Sequence, residues 1–330
     1  MHFARTSSRH FLQVASVLAV AWFGYAGPTV AQENVSVRLN WFASGYNTPF
    51  YVGVEKGFYR EVGLNVEVQE GQGGGPTVAQ VAAGRSTFGF TAIDAPMKAA
   101  SQGAPIKIIA SMARDAGFCV LVKAGSGIKK PVDLIGKTFA AIPQSSIGRM
   151  FPAYLKAAGV SLDAVKLLSV DAANITAGFL SGQYDAKAAL YFDEVPTSEA
   201  RGVPVNCLLY SDVGLSMLGH VIVTNIDMIN NKPRVVQNFV SATIKAYEYS
   251  FANPKEAVAI GKKYASDSLA NEQAAIGQLE AFHGIASQPL GSFSAAEVKS
   301  TALLLRDTIG LDHDASEAKS FYSDQFVKVK

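Results

Sequence analysis

The chain has 330 residues, 49% of them apolar and 17% charged, with 29 lysines and arginines against 27 acids. That composition excludes a disordered or collagen-like chain and bounds one to three globular domains. Without Arg5 and Arg9 the remainder is formally neutral and carries no basic stripe, which argues against nucleic acid or an anionic membrane as a partner.

The first stretch differs from the rest. Arg5 and Arg9 precede an apolar run from Phe11 to Trp22, Gly27-Pro28 breaks it, and the small residue Ala31 closes it. This pattern predicts a secretory leader over residues 1–31, cut after Ala31, and an exported mature protein. The run is shorter than the about 20 apolar residues a membrane span needs. No cysteine follows the cut and no later segment is long enough to span, so no stable membrane insertion is expected. Cys119 and Cys207 each lie inside an apolar run. Two distant cysteines carry no framework signal, and free buried thiols are expected.

After the leader, strands and helices alternate. Val35 to Asn40 reads as a strand, Pro49 to Val62 as one helix with Phe50, Val54 and Phe58 on a face, and Leu64 to Glu70 as a second strand. Gly73 to Pro76 turns into a short helix that ends at Gly84. Thr87 to Thr91 and Lys107 to Met112 are further strands. The rhythm continues through strands at Phe118 to Lys123, Thr138 to Ile142, Lys166 to Val170, Ala186 to Tyr191, Val205 to Leu209 and His220 to Thr224. Helices at Gly148 to Ala158 and Ile175 to Ser181 separate them. Beyond Lys232-Pro233 the pattern turns helical, with Val236, Phe239, Val240 and Tyr247 at helical spacing and three more helices and a short turn behind them. This order predicts an α/β fold with parallel sheets flanked by helices. Two crossovers, near Arg114 to Gly117 and Asp212 to Gly214, would make residues 117–217 an inserted second lobe. Residues 32–116 and 218–330 would form the first.

Four segments carry a family likeness. They are Leu39-Asn40-Trp41-Phe42 with Asn47-Thr48-Pro49-Phe50; Glu55-Lys56-Gly57-Phe58-Tyr59 with Gly63-Leu64-Asn65-Val66; Gly73-Gly74-Gly75 with Ala83-Gly84; and Lys129 to Lys137. The chain resembles the periplasmic solute-binding proteins of ABC importers, in the branch that binds pyrimidine precursors of thiamine and its sulfonate, nitrate and taurine cousins. Where the family's opening motif often carries histidine, this chain has Asn47. The resemblance implies a type II two-lobe fold with two crossover strands and a helical C-terminal tail. It further implies a small-molecule ligand, an ABC permease with its ATPase subunit as partners, and a monomer.

Ligands of such sheets sit at the carboxyl ends of the strands, so the loops leaving them are the candidate site. Trp41, Tyr46 and Asn47 leave the first strand; the aromatics suit a flat ring, and Asn47 either meets the ligand or caps the next helix. Gly74 and Gly75 open a helix where backbone amides can approach a ligand. Asp94 leaves the third strand, as acceptor or cap. Ser145 and Ser146 open the first helix of the second lobe. By position in the resembling family, Tyr191 and Glu194 supply an aromatic and a carboxylate. Asp94 and Glu194 together favour an amine or amino-heterocycle; Arg114 and Arg149, if they point inward, favour an aliphatic sulfonate, nitrate, taurine or an aromatic carboxylate.

No catalytic residues, metal site or cofactor are expected. His220, His283 and His313 are scattered, not at metal-ligand spacing. The family's enzyme branch uses a cysteine-rich run and a histidine of its own, and this chain has neither. The alternative from another class is an exported dinucleotide-dependent oxidoreductase, from Gly71-Gln72-Gly73-Gly74-Gly75-Pro76 after a strand, but Pro76 takes the third glycine position.

Overall fold

The computed structural model describes residues 1–2, 32–143, 145–311 and 315–327. Apart from its first two residues, the expected leader lies outside the described residues. Residues 32–330 form one unit with two sheets. The first comprises β1 (Glu33–Leu39), β2 (Leu64–Gln69), β3 (Phe88–Ala92), β4 (Ile106–Ala113), β10 (His220–Asn225) and β11 (Ala286–Gly291). The second comprises β5 (Phe118–Lys123), β6 (Thr138–Ala141), β7 (Lys166–Ser169), β8 (Ala186–Leu190) and β9 (Val205–Leu209). Their orders are β11-β4-β10-β3-β1-β2 and β7-β6-β8-β5-β9.

The burial pattern explains the strands. Along β1, Val35, Val37 and Leu39 are buried on one face, the period of a half-covered strand. Along β5 every residue but the last is buried, because helices cover both faces of the second sheet. Phe118, Val120 and Val122 enter one apolar cluster, while Cys119 and Leu121 enter another. In the helix Pro233–Ala252, Val236, Phe239, Val240 and Tyr247 are buried at helical spacing.

The chain passes from the first sheet to the second between Ala113 and Phe118, and returns between Leu209 and His220. The two passages touch. Gly219 donates to the Ala113 carbonyl at 3.0 Å, and a Cβ at Gly219 would fall 2.1 Å from the Asp115 carbonyl oxygen. The strands that arrive through the crossovers run against their neighbours: β10 is antiparallel to β3 and β4, and β5 to β8 and β9. The parallel pairs are β1 with β2 and β3, and β6 with β7 and β8.

Two expectations need correction and one an addition. The single helix over Pro49 to Val62 is two, Thr48–Glu55 and Phe58–Glu61, split at Gly57 with φ 77°, a left-handed conformation that suits glycine. The helical tail is present and also carries one strand: β11 pairs with β4 at the sheet edge through Ala286 and Gly291 only, and the Pro289 within it hides the strand pattern. The cysteines are not free thiols. Register sets Cys119 opposite Leu209 and Cys207 opposite Leu121 on adjacent antiparallel strands, which brings their Cα atoms to 5.6 Å, and they form a disulfide.

The helix Tyr191–Glu199 links the two halves. It leaves β8 of the second sheet, yet Phe192 is buried among Tyr46 and Phe282 in the core of the first. Its Pro196 meets Gly277 of the helix Glu272–Ile285, where a Cβ would come within 2.9 Å. Among the described residues no helix is long and apolar enough to cross a membrane.

Candidate functional site

Strand-end loops from both sheets line one cleft of about 670 Å³. From the first sheet come Asn40, Trp41, Tyr46, Gly74, Gly75 and His220; from the second come Ser145, Ser146, Arg149, Thr176, Asp193 and Glu194. A shallower compartment of about 430 Å³ continues past Trp41 toward Thr197 and Arg201. A larger groove of about 960 Å³ runs along the edge strand β2 and the Tyr264–Ser268 segment, and it takes no lining from the second sheet.

On the first wall, Gly73 donates to the Asn40 carbonyl and so ties the loop after β2 to the end of β1. Gly74 packs so tightly that a Cβ would lie 2.7 Å from Thr91 Oγ1; Gly75 has open space. Tyr46 stacks on Phe282 at 5.4 Å and meets Phe192 and His220 edge-on. Burial pushes the Tyr46 hydroxyl well above its ordinary pKa, so it stays protonated. His220 is fully buried among these rings, and burial lowers its pKa to about 3.

On the second wall, Ser145 caps the helix Ser146–Ala157, its hydroxyl accepting from Gly148 N at 3.1 Å and donating to the Ile142 carbonyl. Lys187 is fully buried; its Nζ lies 2.7 Å from Glu194 Oε1 and donates to Thr176 Oγ1 at 2.9 Å. Beside it, Asp193 accepts from Gln278 Nε2 at 2.6 Å. Gln278 also accepts from Gly45 N and donates to Thr197, so one amide stitches the first-wall loop to the helix of the second. Desolvation, then the neighbouring Glu194, raises the Asp193 carboxyl to about 7.

The structure thus brings Trp41, Tyr46, Gly74, Gly75, Ser145, Ser146, Arg149 and Glu194 to the cleft, and moves four expected residues off it. Asn47 is buried, and its Oδ1 accepts from Ser44 N at 3.0 Å to close its own turn. Asp94 lies fully buried behind Ala92 and Ala95; its Oδ2 accepts from Arg149 Nη2 at 2.8 Å across the two walls. Burial raises its carboxyl pKa, against Ser146 and Arg149. Tyr191 packs beside Gly117 and Phe192. Arg114 points away, bonded to Glu297 and the Gln288 carbonyl. Asn40, Thr176, Asp193 and His220 were missed. The only signal for His220 was a polar residue heading an apolar strand at a crossover.

Two mixed α/β sheets joined by two adjacent crossovers, with strand-end loops of both around one cleft, define a periplasmic-binding-protein fold. The chain belongs to the family described as NMT1/THI5 like, whose model matches residues 44–257. It is 26% identical over 232 residues to a formylaminopyrimidine-binding protein of Halalkalibacterium halodurans, covering 69% of each chain. It is 22% identical over 235 residues to a 4-amino-5-hydroxymethyl-2-methylpyrimidine phosphate synthase of Legionella pneumophila, covering 68% of this chain and 72% of that one. Its fold is similar to that of the periplasmic aliphatic sulphonate binding protein SsuA from Escherichia coli, with a TM-score of 0.72 at 15% identity over 89% of this chain and 99% of that one.

Proposed function

We propose that this protein is the solute-binding component of an ABC importer, which captures a small polar or heteroaromatic molecule by closing two lobes and hands it to a permease driven by a separate ATPase. The lobes are residues 32–116 with 218–330, and residues 117–217. The leader is cut after Ala31 and the mature monomer works in the periplasm without doing chemistry on its ligand. One observation carries this reading: loops from two separately formed sheets converge on one cleft, so a ligand touching both favours the closed arrangement and shifts a hinge equilibrium.

A pyrimidine-like solute is favoured, although not by simple negative charge. Asp94 is paired with Arg149 and Glu194 with Lys187. Asp193 instead takes its hydrogen bond from a neutral amide. Trp41 offers a face for a flat ring, and Asp193 offers an acceptor for a ring or amino N–H. The second reading is an oxyanion binder for sulfonate, nitrate, taurine or aromatic carboxylate, and the unpartnered Nε of Arg149 speaks for it. Mass spectrometry of co-purified small molecules tests both: an amino-heterocycle supports the first, a sulfonate or carboxylate the second. X-ray scattering with and without that ligand should show compaction, and an unchanged envelope would overturn lobe closure.

A further inference from the structure

The cleft holds polar atoms with no partner, and their identities constrain what fills it. His220 is 0% exposed and lines the cleft, yet neither ring nitrogen has a hydrogen-bond partner. Tyr46, Phe90, Phe192 and Phe282 surround it at 5.7, 5.1, 5.6 and 6.1 Å between ring centroids, and all four contribute apolar ring surface rather than a bond to it. Asn40, also lining the cleft at the end of β1, has its Oδ1 buried and unpartnered. From the opposite wall, Arg149 presents an unpartnered Nε. Leaving such groups unsatisfied is costly, so a ligand that supplies their partners gains what one that does not must forgo.

We propose that Asn40 and His220 form the floor of the cleft and select a planar, uncharged solute that both donates and accepts hydrogen bonds around its rim, as an aminopyrimidine, a ureide or a primary carboxamide does. The imidazole stays neutral there, with one nitrogen donating and the other accepting. Asn40 Oδ1 calls for a donor and Arg149 Nε for an acceptor, while the imidazole can offer the ligand either its donating or its accepting nitrogen. An oxyanion brings acceptors only, so it leaves Asn40 bare. An alkylammonium brings donors only and leaves Arg149 bare. This selection presupposes the capture reading above, and assigns to it a hydrogen-bonding pattern and two residues.

Titration calorimetry on the mature protein tests it with three probe sets. The mixed set is 4-amino-5-hydroxymethyl-2-methylpyrimidine, cytosine and nicotinamide; the acceptor-only set is ethanesulfonate, nitrate and benzoate; the donor-only probe is ethylammonium. The tightest binding should come from the mixed set. His220→Leu and Asn40→Leu should each weaken that binding about 10- to 100-fold, with His220→Gln recovering part of the loss. The thermal midpoint of ligand-free His220→Leu should stay level or rise, because an unpartnered polar ring is gone; a purely structural histidine would lower the midpoint and leave affinity unchanged. If His220→Leu fails to fold, Asn40→Leu and His220→Gln carry the same comparison. Tightest binding from the acceptor-only set or from ethylammonium, or unchanged affinity in the variants, overturns the floor assignment and leaves capture standing. Silence from every probe, with no compaction on adding co-purified material, overturns capture itself.

Discussion

The two walls of the cleft handle their polar groups in opposite ways. The second wall is the more self-satisfied: Lys187, Glu194 and Thr176 bond one another and Ser145 is occupied as a helix cap, which leaves the buried Nε of Arg149 open. The first wall is less so, since Asn40 Oδ1 and both nitrogens of His220 stand without partners. A self-satisfied wall holds its shape when the cleft is empty, and an unsatisfied one gains most when the cleft fills. Most of the stability therefore lies on one side of the hole and most of the open hydrogen-bonding capacity on the other, and substitutions on the two sides should report on different quantities.

The largest expected effect belongs to the second sheet. Removing the disulfide with Cys119→Ala and Cys207→Ala opens a loop of 88 residues and should cost about 4 kcal/mol of stability, read by urea denaturation. Lys187→Met follows, at about 3 kcal/mol, because it leaves the Glu194 carboxylate without its buried cation. Adding Glu194→Gln should restore most of that loss, and a double variant as unstable as the single one would break the picture of a self-satisfied wall.

The first wall should respond to acid instead. The folded pKa of His220 is about 3, below the about 6.5 of an exposed histidine, so unfolding takes up a proton between those values. This titration costs the fold nothing above pH 6.5, and stability is lost as pH falls toward 3, at about 1.4 kcal/mol per pH unit. Thermal melts of His220→Leu across that window should fall less steeply than those of the parent; parallel curves would show the imidazole already charged in the fold. Smallest of all is Arg114→Ala. Its ion pair with Glu297 is partly exposed, with side chains 40% and 31% accessible, so stability should change by about 0.5 kcal/mol or less and affinity not at all.

Much of the fold was legible because apolar periodicity is a local property. β1 and the helix Pro233–Ala252 show their buried faces in any window of a few residues. β11 was not legible, since an edge strand interrupted by Pro289 has neither the period nor the ladder of an inner one. The disulfide was hidden for another reason: the proximity of Cys119 to Cys207 exists only after β5 and β9 have paired. The site divides the same way. The strand-end rule located the loops of Trp41, Gly74, Ser145 and Glu194, but not the direction of a side chain within a loop. Asp193 and Glu194 are neighbours in sequence, and only the helix start decides that one meets Gln278 and the other Lys187. Asn47 and Tyr191 went astray for the same reason, and the crossing of Arg149 to Asp94 was invisible because it joins residues 55 apart in sequence from opposite sides of the cleft.

The ring of Phe192 belongs to one half of the molecule while its backbone belongs to the other, and this has a mechanical consequence. On the proposed lobe closure, a ring held edge-on by Tyr46 and Phe282 would anchor the second half to the first. Asp193 and Glu194 follow Phe192 in the same helix, so they would be the second-wall groups tied most directly to that anchor.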